Sequence, residues 1–267
     1  MMQICVDIMM IILYNILNNN FERMYVMIKN MLINIRKRIK EIPVLNEENI
    51  KNHIVVNIFL RELGFDAYNW DYETTVTAKQ NRVDITYLEN GKPIFLVETK
   101  AQLIKNKVER DLSEGDVRQL LDYLNNYNEI KWGLLTNGSQ YILLNKCIDG
   151  EPMDKIVFDL SINKSNKYEY WEYFSYQNLF VKKTSQFMAD IAQFKSYKKM
   201  DNTFSEKSWA PYWSSIFRFL NYYSETHTYD SISQRPHEPL SKIDIDDFYA
   251  YISYITENPS NTKLVKS

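Results

Sequence analysis

With 267 residues, 45% of them hydrophobic and 25% charged, the chain has room for one substantial core and an appended domain, and disorder is not its default. A formal net charge of −2 argues against a constitutive nucleic-acid coat but not against a local basic groove, because a phosphate-binding surface needs only a few clustered cations. The two cysteines, Cys5 and Cys147, form no C-x-x-C pair, which excludes an iron–sulfur cluster or a four-thiolate zinc site within one chain and fits a reducing cytoplasm.

The apolar run Ile4–Leu17 is shorter than the ~20 residues of a membrane span. It has no basic segment before it and no small-residue cleavage site after it, so no membrane association and no signal peptide are expected. Met27–Lys40 reads as an amphipathic helix with Ile28, Met31, Leu32, Ile35 and Ile39 on one side. Its basic cluster, Arg36, Lys37, Arg38 and Lys40, reads as a solvated face. After Pro43, Ile50, Ile54, Phe59 and Leu63 keep helical spacing, Asn46 can cap the start, and Gly64 suits the position just past the end. Glu47 and Glu48 oppose the helix dipole from the first turn. Trp70–Ala78 reads as a strand, and Lys79-Gln80-Asn81 as the turn after it.

Arg82–Lys100 is the most informative stretch. Val83, Ile85 and Tyr87 alternate with Asp84 and Thr86, the period of a half-buried strand. Asn90-Gly91 tolerates the two positive φ angles of a tight hairpin, and Pro93–Val97 forms the returning strand before Glu98-Thr99-Lys100. Glu98 and Lys100, two apart on a strand, share a face, and the hairpin can bring Asp84 alongside them. Two carboxylates and an amine at one end of a hairpin could hold a divalent metal and its water.

Beyond Lys100 the segment to Asp111 is polar and mixed in charge (Lys105, Lys107, Glu109, Arg110) and reads as a loop or lid. Ser113 can cap a helix with a buried stripe of Val117, Leu120, Leu121 and Leu124, and with Gln119 and Tyr123 four apart on a neighbouring face. Trp132–Thr136, the turn Asn137-Gly138, Tyr141–Leu144 and Lys155–Leu160 supply further strands. This order predicts an α/β fold with a mixed β-sheet flanked by helices, not a doubly wound one. From Lys167 the character turns helical, through Trp171–Phe180, Ser185–Tyr197, Trp209–Tyr223 and Asp244–Thr256, with a frayed tail from Asn258. The expected organisation is an N-terminal extension over 1–40, an α/β domain over 41–165 and an α-helical C-terminal domain over 166–267.

The bare E-x-K triplet is common: Glu129-Ile130-Lys131 repeats it at a solvated strand start. Only Glu98 and Lys100 have a hairpin partner carrying Asp84. An exposed salt bridge would be worth at most ~1 kcal/mol and needs no third carboxylate. Phosphodiester hydrolysis does use such a set, because carboxylate-held Mg²⁺ neutralises charge on phosphate oxygens and a lysine can orient the attacking water.

Six elements recur in order: Glu47-Glu48-Asn49, Leu63-Gly64-Phe65-Asp66, Val83-Asp84-Ile85, Val97-Glu98-Thr99-Lys100, Gln119–Tyr123 and Leu135-Thr136-Asn137-Gly138. Over about Ile42 to Leu160 the chain thereby resembles the nuclease domain at the N-terminus of type I restriction enzyme R subunits, a branch of the PD-(D/E)xK superfamily. The resemblance implies a restriction-endonuclease-like fold and an Mg²⁺-dependent endodeoxyribonuclease (with Mn²⁺ able to substitute) acting on DNA in a defence system or mobile element. It makes Asp84 and Glu98 metal-binding acids, with the Thr99 carbonyl as a further ligand. Lys100 becomes the catalytic lysine and Glu47 the helix-borne acid that completes the site. Gln119 and Tyr123 match the family's Q-x-x-x-Y element, which positions DNA or the catalytic core. Val83 stands where the superfamily name has Pro. The helicase and coupling regions of R subunits have no counterpart here, so an ATP-dependent partner would have to supply any motor. The alternative is a catalytically silent nuclease-fold module that binds DNA or protein.

Overall fold

The computed structural model describes residues 24–75, 82–104, 108–163, 168–181, 184–200 and 245–257, together with Ser215, Ile216 and Phe219. The expected turn at Lys79-Gln80-Asn81, the apolar run Ile4–Leu17, most of Trp209–Tyr223 and the tail from Asn258 lie outside these residues. The described residues fall into two compact units, one drawn from 1–147 and 156–177 and the other from 148–155 and 178–267.

The first unit is built on a mixed sheet. Its strands, in chain order, are β1 (Trp70–Thr75), β2 (Arg82–Glu89), β3 (Lys92–Thr99), β6 (Trp132–Thr136), β7 (Gln140–Asn145) and β8 (Ile156–Ser161), and they lie side by side in that order. Four of the five pairings are antiparallel, and only β3 with β6 is parallel. A parallel pair needs a crossover connection, and the helix α3 (Glu114–Asn125) lies within it. Asn90 and Gly91 turn the β2–β3 hairpin with φ of 51° and 75°, as the dipeptide predicts. The segment expected to be a loop after Lys100 instead carries a small ribbon, β4 (Leu103–Ile104) paired with β5 (Val108–Glu109). Pairs this short come from local geometry that two residues of pattern do not reveal.

Helices cover both faces. Val117, Leu120, Leu121 and Leu124 of α3 form one core with Leu96, Leu135, Ile142 and Leu144 of the sheet. Ser113 closes a reciprocal capping box with Asp116 at the start of α3. Gly133 lets α3 approach, since a Cβ there would lie 3.0 Å from Leu124 Cδ1 and 3.1 Å from Leu120 Cδ2. Gly133→Ala is therefore expected to lower unfolding free energy by about 1–3 kcal/mol, read by thermal or urea denaturation; an unchanged midpoint would show that the two leucines move aside without cost.

The opposite face is aromatic. The helix α1 (24–41) buries Ile28, Met31, Leu32 and Ile35, while its Arg36 Nε donates to the Ile162 carbonyl at 2.9 Å. The helix α2 starts at Glu47–Ile50 and continues over Lys51–Leu60 with the wider turns of a π-helix. Asn46 caps it by accepting from the Asn49 N–H at 2.8 Å, and Gly64 ends it at φ 83°. Phe59 stacks on Tyr141 at 4.3 Å, and Trp171, fully buried, stands edge-on to both. Trp171 belongs to a 3₁₀ segment, Tyr168–Phe174, that lies in the same unit as the sheet.

In the second unit, α4 (Thr184–Met200) buries Met188, Ala189 and Ile191, and its Gln193 and Lys199 side chains bind Asp149 and Asp154. The helix α5 (Ile245–Glu257) meets Phe219 through Tyr251, edge-on at 5.5 Å. No helix among the described residues is long and apolar enough to cross a membrane.

Candidate active site

Antiparallel pairing decides where the acids lie. The register that sets Ile85 opposite Val97 sets Asp84 directly opposite Glu98, on the sheet face covered by α3. Like charges directly opposite each other destabilise a sheet, and here one of them, Glu98, is only 4% exposed. A sheet shaped by stability alone would not make this pair.

The surrounding groups hold both carboxylates in place. The Thr99 N–H and hydroxyl both donate to Asp84 Oδ2, at 2.6 and 2.5 Å. Lys100 Nζ, also buried, donates to Glu98 Oε1 at 2.7 Å, and Gln119 Nε2 reaches the same oxygen at 3.1 Å. The Asp84 N–H lies 3.4 Å from Glu98 Oε2. Gln119 also donates to the Tyr123 hydroxyl at 2.7 Å, so these two residues of α3 act as one bracket on Glu98.

Burial and then the charge of Asp84 push the Glu98 carboxyl up to about 7, against the pull of Lys100. Burial opposes the charge on Lys100, but Glu98, and beyond it Glu47 and Asp84, outweigh that and hold the ammonium above its ordinary value. The two directions agree once all three acids are counted. One ammonium among three carboxylates keeps its proton, and the most buried carboxylate is the one left under-neutralised.

The structure therefore gathers Asp84, Glu98, Thr99, Lys100, Gln119 and Tyr123. Glu47 stands apart. It is exposed in the first turn of α2 and acts on Lys100 through its charge. Among the described residues, no three His, Cys, Asp or Glu side chains come close enough to hold one metal ion. The available donors are hard oxygens from two acids, which suits Mg²⁺, an ion that keeps several waters and needs only one or two carboxylates.

Sequence reasoning missed two neighbours. Lys51, almost fully buried one turn into α2, binds Glu48 at 2.8 Å and Glu73 of β1 at 2.7 Å, and lies close enough to Asp84 to feel its charge. The i,i+3 spacing from Glu48 was a usable signal for half of this cluster. Nothing local pointed to Glu73.

Residues 46–157 match the model of the family described as "Type I restriction enzyme R protein N terminus (HSDR_N)". The match spans every site residue named above and stops before α4. No curated protein and no solved structure matches the chain.

Proposed function

We propose that this protein is a metal-dependent DNA endonuclease of the PD-(D/E)xK kind, serving restriction or a related defence role in the cytoplasm. The observation that carries the reading is the directly opposed pair of half-buried Asp84 and buried Glu98, with Lys100 bound to Glu98. A pair that costs stability is explained by a cation that reverses the cost.

In this reading Asp84 and Glu98 hold Mg²⁺ (or Mn²⁺) together with the Thr99 carbonyl. The ion, when bound, supplies charge neutralisation on the phosphate oxygens. The chain's residues do the rest. Thr99 fixes the Asp84 carboxylate by two hydrogen bonds, and the Gln119–Tyr123 bracket fixes Glu98. Lys100 orients the attacking water and stabilises negative charge on the scissile phosphate. Glu47, exposed in the first turn of α2, completes the site through its charge on Lys100. The helical residues after the sheet form an appended domain that presents DNA or a partner.

The test is cleavage of plasmid DNA by purified protein with Mg²⁺ or Mn²⁺. Asp84→Asn is expected to abolish it while leaving the circular dichroism spectrum unchanged; equal cleavage by a folded Asp84→Asn protein would reject the assignment. A second reading, a silent nuclease-fold module, is favoured by one observation: Lys100 is paired directly with Glu98, and among the described residues no third acid comes close enough to share a metal ion with the pair. That reading expects neither cleavage nor thermal stabilisation by Mn²⁺.

A further inference from the structure

Lys51 is costly to keep where it is. Its side chain is 5% exposed, yet its ammonium is held by two carboxylates from different elements, Glu48 on its own helix and Glu73 on the edge strand β1. The β1–β2 register pairs Tyr72 with Ile85 and Thr74 with Val83, so Glu73 occupies the position opposite Asp84. Glu73 is also one of two non-glycine residues with positive φ among the described residues, at 54°. A left-handed backbone is unfavourable for such a residue and persists only where the surroundings over-determine it. The other example, Asn90, lies in a turn that requires it; Glu73 lies within a strand.

These observations share one explanation. Asp84 is fixed from the β3 side by Thr99, and the Glu73–Lys51–Glu48 bridge ties β1 to the first turns of α2 on its other side. We infer that Lys51 is a positioning residue for the Asp84–Glu98 site, joining β1 to the first turns of α2 so that Asp84 keeps the placement opposite Glu98 that a divalent cation needs. This rests on the metal-dependent reading above. The geometric role is separable from an electrostatic one, although Lys51 also lies close enough to Asp84 to interact with its charge.

That distinction supplies the test. Mn²⁺ binding to the full chain, without DNA, is measured by isothermal titration calorimetry for wild type, Lys51→Met, Glu73→Gln and Lys51→Arg. A positioning role predicts that Lys51→Met and Glu73→Gln each weaken Mn²⁺ binding by about 10–100-fold, that the double variant is no worse than either single one, and that Lys51→Arg, whose fork can serve two carboxylates, retains most of the affinity. A purely electrostatic role predicts opposite signs, with Lys51→Met binding more tightly and Glu73→Gln more weakly. Tighter or unchanged binding by Lys51→Met overturns the inference while leaving the nuclease reading intact. Glu73→Gln keeps the Lys51–Glu48 pair and serves as the test if Lys51→Met fails to fold; wild-type affinity in that variant overturns the inference as well. A wild-type protein that binds no Mn²⁺ rejects both together.

Discussion

Replacing Lys100 by alanine is expected to lower metal-dependent DNA cleavage by about 10²–10⁴-fold, the range lost with a group that positions or activates a nucleophile. The fold should survive. Removing one partner of a buried ion pair normally costs several kcal/mol because it strands a charge. Here Glu98 is already raised to about 7 by burial and Asp84, so it can take a proton and become neutral. Gln119 remains as a hydrogen-bond partner for Oε1. Lys100→Met, which keeps the apolar stem, should behave the same way in activity with less loss of packing. Single-turnover cleavage at saturating Mn²⁺, alongside DNA binding in Ca²⁺, separates the effects. Loss of rate with binding retained fits the role. Full cleavage by a folded Lys100→Ala protein would remove Lys100 from the chemistry.

Glu98 should also leave a mark on stability that needs no substrate. Its folded value of about 7 lies above the ordinary 4.5, so its contribution is fully present below pH 4.5 and is lost as pH rises through 7. A shift of that size corresponds to about 3 kcal/mol across the window. The groups facing it are Asp84 from β2, Lys100 beyond β3 and Gln119 from α3, with Glu47 acting on Lys100. Glu98→Gln keeps an oxygen for Lys100 and Gln119 but cannot ionise. The gap in unfolding free energy between metal-free wild type and Glu98→Gln should therefore shift against the wild type from pH 4.5 to pH 7. Parallel curves over that range would show that Glu98 titrates normally. Adding Mn²⁺ should stabilise the wild type at pH 8 far more than at pH 5, because at low pH the ion competes with a proton for Glu98.

Local chemistry made much of this molecule legible. Alternation gave β2, a continuous apolar run gave β3, Asn90-Gly91 gave the turn between them, and Asn46, Gly64 and Ser113 marked the helix ends where the caps are found. Because a side chain's face follows from its place in a strand, the hairpin alone implied that Asp84 could meet Glu98 and Lys100. The Gln119–Tyr123 pair was readable for the same reason, as neighbours one helical turn apart.

Four features were not readable. The residues 168–174, expected among the C-terminal helices, place Trp171 beside Phe59 and Tyr141 because a large aromatic finds its burial wherever the sheet leaves space. The β4–β5 ribbon is too short to carry a period. Glu73's left-handed backbone has no sequence signature in a non-glycine residue. Nothing in the sequence around Lys51 marks it as buried, and its partner Glu73 lies on a different element, β1. By itself, then, the sequence determined the hairpin and its acids, since strand period and turn chemistry act over a few residues. Only the tertiary structure decided how deeply Glu98 is buried and that a second lysine stands beside Asp84, because burial and long-range ion pairs depend on contacts between elements far apart in the chain.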